Sequence, residues 1–277
     1  MKAACSRALW IARITFLEAI RQRFFAFLFV LGAALVLASG AVRVFDFGHS
    51  ELKFIADFGF GGLFLFGSIL GVVMTAQLFF TEIDNRTALT LLAKPLSRGE
   101  FLVGKFLGTW SVLGVFVAVL ALLLAAMLGW RAAELAQLAA ERRLSPPELD
   151  LAGLGLYALL QWLRLGVVVA MVLTVAAAAR TFLFAVVVGA LAVLAGQLQW
   201  LSQELLLKPA EAGLAHAGVW VITHLLPNLQ QFNLGDALVL APHQVPDGTL
   251  PWIFASGAAY VVVFLCLATF LFRRREI

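Results

Sequence analysis

Five runs of this sequence contain no Asp, Glu, Lys or Arg: residues 24–42, 58–81, 106–130, 181–203 and 248–272. Each run is long enough for a helix to cross a bilayer, which takes about 20 apolar residues. Apolar residues make up 62% of the chain and charged residues 13%, whereas about a quarter of an ordinary soluble domain is charged. We therefore predict an all-α integral membrane protein, and a cytosolic enzyme fold is excluded.

Two further apolar segments are less regular. Residues 151–179 carry one charge, Arg164, and are predicted to form another span. Residues 212–235 contain histidines, glutamines and a proline, so we interpret them as re-entrant or interfacial. The stretch between the fifth and sixth spans is rich in proline and is predicted to form two broken half-helices in the outer leaflet. Six spans result, at about residues 24–42, 58–80, 102–128, 151–179, 181–202 and 251–272.

The distribution of charge predicts the orientation. With the N-terminus in the cytoplasm, thirteen basic and five acidic residues lie inside, while six basic and eleven acidic residues lie outside. This bias follows the positive-inside rule. A seventh span would place residues 273–275, which are all arginine, on the wrong side, so both termini are predicted to be cytoplasmic.

Residues 1–23 precede the six-helix domain, residues 24–277, and are predicted to form an interfacial amphipathic helix. One arc carries the polar residues and the opposite arc the apolar ones: Arg7, Thr15, Glu18, Arg21 and Gln22 against Leu9, Ala12, Phe16 and Ala19. The alternative is a frayed cytoplasmic extension of the first span.

The cytoplasmic loop at residues 82–100 is the most informative segment. Asp84 or Asn85 can cap a short helix over residues 86–93, and Pro95 stops it. Ser97 and Glu100 match a capping box that starts the next helix. The short helix is too apolar for water and too small to anchor a membrane, so we predict that it docks into a groove on a cytoplasmic partner. The alternative is a plain loop with its leucines against the headgroups.

On the outer side, residues 132–143 are predicted to form a charged surface helix. A second capping box at residues 145–148 is predicted to open the fourth span.

Residues 99–106 match a phosphate-binding loop at every position but the last, where Phe106 replaces the Ser or Thr that holds magnesium. A helix already begins at Ser97, so we predict no ATP site in this chain. No catalytic motif is present, and His216 and His224 lie about 11 Å apart on one helix, too far to share an ion. No catalytic, cofactor-binding or metal-binding residue is therefore predicted. The pairs Gly67/Gly71 and Gly104/Gly108 predict close helix contacts.

Arg164, one turn after Gln161, is the single ionisable residue deep in a predicted span. Such a charge is costly unless it is paired or hydrated. Gln161 and Arg164 are therefore candidates for the lining of a translocation path or for a contact across a subunit interface. The alternative is a tilted helix from which Arg164 snorkels outward.

These features together resemble the permease subunits of ABC-2 type ATP-binding cassette transporters, and most of all those of nitrous-oxide-reductase maturation. The resemblance covers the whole chain in architecture and rests in sequence on residues 82–108. It implies that the short helix is a coupling helix in a groove of a separate cytoplasmic ATPase, which binds ATP and Mg. The residues expected at or near this contact are Glu82, Asp84, Asn85, Arg86, Thr87, Leu91, Leu92 and Pro95.

The resemblance also implies a dimer of permeases, identical or not, two ATPase subunits, an outer gate between spans five and six, and export across a bacterial inner membrane. The predicted partners are thus the ATPase, a second permease copy and the bilayer, without nucleic acid. Two alternatives are an ion-coupled secondary transporter and a membrane scaffold of a non-transport ABC assembly. The first requires intramembrane acids, and no Asp or Glu lies within the six predicted spans.

Overall fold

The computed structural model describes residues 2–41, 51–84, 97–141, 149–199, 226–240, 246 and 248–274. These segments are helices joined by turns, and none of them contains a strand. The helices are α1 Lys2–Ile20, α2 Arg23–Ala41, α3 Glu51–Asp84, α4 Arg98–Glu141, α5 Leu151–Ala178, α6 Phe182–Gln197, α7 Gly235–Val239 and α8 Thr249–Arg274, with a 3-10 turn at Leu229–Phe232.

Five of these helices, α2, α3, α4, α5 and α8, are long and apolar enough to cross a membrane. The chain is therefore a multi-pass membrane protein, as predicted. The fifth predicted span, residues 181–202, coincides with α6, which is apolar but has 16 residues and ends at Gln197 rather than near residue 202. A helix of that length is about 24 Å long, against a hydrocarbon core of about 30 Å. The count of six spans stays a prediction.

Two helices extend well beyond their predicted spans. α3 begins at Glu51, not at residue 58, and α4 continues to Glu141 rather than ending near residue 128. The charged helix predicted over residues 132–143 is therefore present as far as Glu141, where it forms the end of α4. Charged residues mark where a helix leaves lipid, not where the helix ends. In the extended part of α4, Arg131 binds both Glu51 of α3 and Glu134.

The core of the bundle is α5. In the most apolar 18-residue segment of α5, 78% is buried inside the protein, whereas the corresponding share is 22% for α2 and for α8. α5 is therefore central, and α2 and α8 are peripheral. Its contact with α4 is reinforced by two tryptophans: the indole N–H of Trp110 donates to the carbonyl of Trp162 at 2.8 Å, and that of Trp162 to the carbonyl of Trp110 at 2.9 Å. The two rings stack with their centroids 4.3 Å apart.

α1 lies against α4 across two glycines, as their spacing predicted. A Cβ added at Gly104 would lie 2.6 Å from the Cβ of Ile11, and one at Gly108 would lie 2.7 Å from the carbonyl oxygen of Ala12. This close approach changes the predicted arcs of α1. Thr15, placed on the polar arc, is fully buried, whereas Leu9, placed on the apolar arc, is exposed.

The segment at residues 226–240 is broken backbone rather than one continuous helix. It consists of the 3-10 turn and the five-residue α7, and α7 lies so close to α5 that a Cβ at Gly153 would meet the carbonyl oxygen of Leu238 at 1.9 Å. The rest of the predicted half-helices, the four histidines and the predicted cap at residues 145–148 lie outside the described residues. The N-cap of α5 is Asp150, whose side chain accepts from the backbone N–H of Ala152.

Candidate functional site

The predicted coupling loop is bounded by two described helix ends. Glu82 and Asp84 belong to the last turn of α3, while Ser97 and Glu100 lie at the start of α4. The other predicted contact residues lie outside the described residues: Asn85, Arg86, Thr87, Leu91, Leu92 and Pro95. What the structure describes is therefore how the loop is held at its two ends.

The first link between these ends is an ion pair. The ammonium of Lys105 lies 2.5 Å from the carboxylate of Glu82, so α4 is joined to α3. Lys105 is almost completely buried and also lies 6.0 Å from the ring centroid of Phe101. Because residues 99–106 all belong to helix α4 and Lys105 faces a carboxylate, this segment does not form the loop that cradles a nucleotide phosphate.

The second link is the helix cap together with Arg7. The backbone N–H of Ser97 donates to the carboxylate of Glu100, and the backbone N–H of Glu100 donates to the Ser97 hydroxyl, both at 3.2 Å. Arg7 then donates two hydrogen bonds to the same carboxylate, at 2.7 and 3.1 Å. These bonds raise the pKa of the Arg7 guanidinium, which stays charged, and they fix α1 to the start of α4.

The third link joins α4 to the end of α8. One guanidinium nitrogen of Arg98 donates to the carbonyls of Phe272 and Arg273 at 2.8 and 2.9 Å. A cation at the C-terminus of a helix satisfies carbonyls that have no partner within the helix. Beneath it, the rings of Phe79, Phe101 and Phe272 contact one another. We call the six polar residues of these three links the loop frame: Arg7, Glu82, Ser97, Arg98, Glu100 and Lys105.

The second candidate site surrounds Arg164 in the middle of α5. Its side chain is buried within the protein, 1% exposed, so it does not snorkel outward. The guanidinium donates to the side-chain oxygen of Gln161 at 3.3 Å and to that of Gln197 on α6. Its carbon lies 3.5 Å from the ring centroid of Phe64 on α3, a cation–π contact.

Amide side chains extend this cluster to the broken segment. Gln197 donates to the side-chain oxygen of Gln230 at 2.8 Å, and Gln161 donates to the carbonyl of Phe232 at 3.5 Å. These contacts connect Arg164 on α5 to α3, to α6 and to the 3-10 turn. Sequence analysis missed Gln197 and Gln230, although a glutamine within an otherwise apolar run such as residues 181–203 was an available signal.

A cavity of about 230 Å³ opens beside Arg164. Its described lining contains two carboxylates, Asp57 and Asp236; both are exposed, and Asp236 lies 3.4 Å from the ammonium of Lys53. Asp57 belongs to α3, one residue before the predicted start of its span. The described residues that line the cavity are Asp57, Phe60, Gly61, Phe64, Arg164, Gln197, Asn233 and Asp236.

Comparison with known proteins adds one result. The family model described as ABC-2 family transporter protein matches residues 9–277, from the first turns of α1 to the end of the chain. No curated protein matches the chain.

Proposed function

Because this chain belongs to the ABC-2 transporter family, and so is a membrane component of a transporter rather than a catalytic subunit, we propose that it couples a separate cytoplasmic ATPase to substrate export. The predicted family is confirmed by the match. The narrower similarity to permeases of nitrous-oxide-reductase maturation stays a prediction.

The observation that carries this proposal is the loop frame. A loop can transmit a push to a helix bundle only if its ends are fixed to rigid elements, since a loose loop would absorb the movement. Here the two ends of the loop at residues 85–96 are joined by the Glu82–Lys105 ion pair. Arg7 and Arg98 link the same region to α1 and α8. A displacement of the loop would therefore move four helices together.

In this proposal the loop is the coupling helix, and its ATPase contact comprises Glu82, Asp84, Asn85, Arg86, Thr87, Leu91, Leu92 and Pro95. ATP and Mg are bound by the ATPase. Two permease copies, identical or not, assemble with two ATPase subunits. The six spans lie in a bacterial inner membrane with both termini in the cytoplasm, and α1 lies at the membrane interface. The exposed Leu9, Trp10 and Leu17 of α1 are suited to that environment.

Gln161 and Arg164 line the translocation path in the same proposal. The support is their burial in the central helix α5 and the polar cavity that reaches Arg164. Intramembrane ionisable residues that face a cavity commonly mark a substrate pathway. Asp57 and Asp236 lie at the predicted outer side of this cavity.

The experiment is co-purification of the ATPase from cells that express tagged variants of the permease. Arg86→Glu reverses a charge at the proposed contact and Leu91→Asp places a charge in the groove, so each is expected to abolish recovery of the ATPase. Arg86→Lys keeps the charge and should retain the ATPase. Leu138→Asp, at an exposed leucine on the far part of α4, is the matched control and should also retain it.

Normal ATPase recovery with both Arg86→Glu and Leu91→Asp, in permease that is still inserted in the membrane, would refute the coupling loop. Transport that survives depletion of ATP would support the ion-coupled alternative instead.

A further inference from the structure

Arg164 has more hydrogen-bond donors than the described residues satisfy. A guanidinium has five N–H donors, and Arg164 uses two nitrogens on the neutral side chains of Gln161 and Gln197. Its third nitrogen, Nε, is buried and has no acceptor among the described residues. Within that part of the chain, the ion pairs also give Arg164 no carboxylate partner.

A full positive charge in this position is costly within a membrane unless something compensates it. The face of Phe64 contributes a cation–π attraction that is too weak to compensate a full charge by itself. Among the described residues, the two glutamine oxygens and the cavity beside Arg164 are left to compensate the charge. At about 30 Å³ per water molecule, the cavity volume of about 230 Å³ holds roughly eight waters, or one small polar group in their place.

We propose that this cavity binds a small anionic group, a phosphate or a carboxylate, with Arg164 as the charged contact and Gln197 and Asn233 around it. Guanidinium is the side chain best matched to these anions, because its planar fork donates two parallel hydrogen bonds. The inference rests on the proposed function only for the position of Arg164 on a translocation path. Binding itself requires no ATPase.

The two carboxylates of the cavity predict the direction in which the affinity for an anion changes when one of them is neutralised. Asp57 and Asp236 would repel an entering anion. Lys53, which pairs with Asp236, offsets the repulsion from that residue. Both carboxylates are exposed, and water screens the repulsion without removing it. The affinity for an anion should therefore rise when Asp57 is neutralised, whereas a purely structural arginine would be insensitive to that change.

The experiment is titration of the purified full-length chain with inorganic phosphate at constant ionic strength, in phosphatidylcholine nanodiscs, with thermal unfolding as the readout. A ligand that binds only the folded state raises the melting temperature as its concentration exceeds Kd. Arg164→Gln is expected to weaken phosphate binding at least about tenfold, the size of a lost charged hydrogen bond. Asp57→Asn should strengthen it several-fold.

A second variant keeps Arg164, so the test does not depend on whether Arg164→Gln folds. Gln197→Glu places a carboxylate where Arg164 already donates, and the Gln230 amide can turn to donate to it. This internal counter-ion is expected to raise the melting temperature without phosphate and to weaken phosphate binding by at least about tenfold. The matched control is Arg131→Gln, which removes one positive charge from α4 outside the cavity and should leave the phosphate affinity unchanged.

The source of the anion is distinguished by repeating the titration in nanodiscs that contain phosphatidylglycerol. Binding that disappears there identifies a lipid headgroup as the occupant, and binding that persists identifies a soluble anion. No phosphate-dependent stabilisation in either lipid, or equal affinity in the original protein and Gln197→Glu, would overturn the inference. None of these measurements involves ATPase recovery, so failure of the anion-binding inference is distinguishable from failure of the proposed function.

Discussion

Replacing Gly108 with alanine tests how closely α1 and α4 approach each other. The new Cβ would lie 2.6 Å from the Cβ of Thr15 and 2.7 Å from the carbonyl oxygen of Ala12, whereas ordinary contact begins at 3.4 Å. Neither atom can rotate away, because one is a Cβ and the other is backbone. The helices must separate by about 0.8 Å, and overpacking of this kind lowers the free energy of unfolding by about 1–3 kcal/mol.

The same substitution elsewhere on α4 is the matched control. A Cβ at Gly129 would meet no atom within 4 Å, so Gly129→Ala creates no clash. Alanine is also the better helix former, by up to about 1 kcal/mol. One chemical change on one helix is therefore expected to destabilise the protein at Gly108 and to leave it unchanged or stabilise it at Gly129.

The assay is reversible unfolding in mixed micelles, with hydrogen exchange of α1 as a local readout. Gly108→Ala should raise exchange across Lys2–Ile20 because α1 is displaced from its support. Equal stability of the two variants, or Gly108→Ala without faster exchange in α1, would refute the described packing.

Two further substitutions test other contacts of the bundle. Lys105→Met removes the cation beside Glu82 and is expected to lower the free energy of unfolding by up to about 3 kcal/mol, because it leaves a carboxylate without its partner. The double variant with Glu82→Gln is expected to lose less, since it leaves no unpaired charge at this site. A double-mutant cycle of unfolding free energies checks this, and additive effects of the two substitutions would contradict it. Trp162→Phe keeps the stacked ring but loses the hydrogen bond to the carbonyl of Trp110, so it should lower the unfolding free energy by about 1 kcal/mol, while Trp162→Ala should lower it by about 3–5 kcal/mol.

The membrane segments could be predicted from sequence because the energetic cost of charge in lipid is large and local. Each predicted span coincides with a helix of the structure. The ends of α3 and α4 could not be predicted in the same way, since Glu51 and Arg131 interact with each other 80 residues apart and stabilise helical backbone where the sequence already looks like a surface.

The same distinction between local and long-range contacts applies to the candidate sites. The Ser97 and Glu100 hydrogen bonds form between residues three apart, a spacing that is visible in sequence. The partners of Arg164 on other elements could not be identified by spacing, because Phe64 and Gln197 come from separate helices and meet Arg164 only in the folded bundle. Thr15 was placed on the wrong arc of α1 for a related reason: glycines on α4, not residues of α1, determine that Thr15 is buried.

The central claim is that the loop at residues 85–96 contacts an ATPase, and site-specific photo-crosslinking tests it most directly. A photoreactive amino acid at Leu91 should yield a crosslinked product in cells that contains this chain and an ABC ATPase, identified by mass spectrometry. The same amino acid at the exposed Leu138 should yield none. A crosslink to the ATPase from position 138 and not from position 91 would contradict the account.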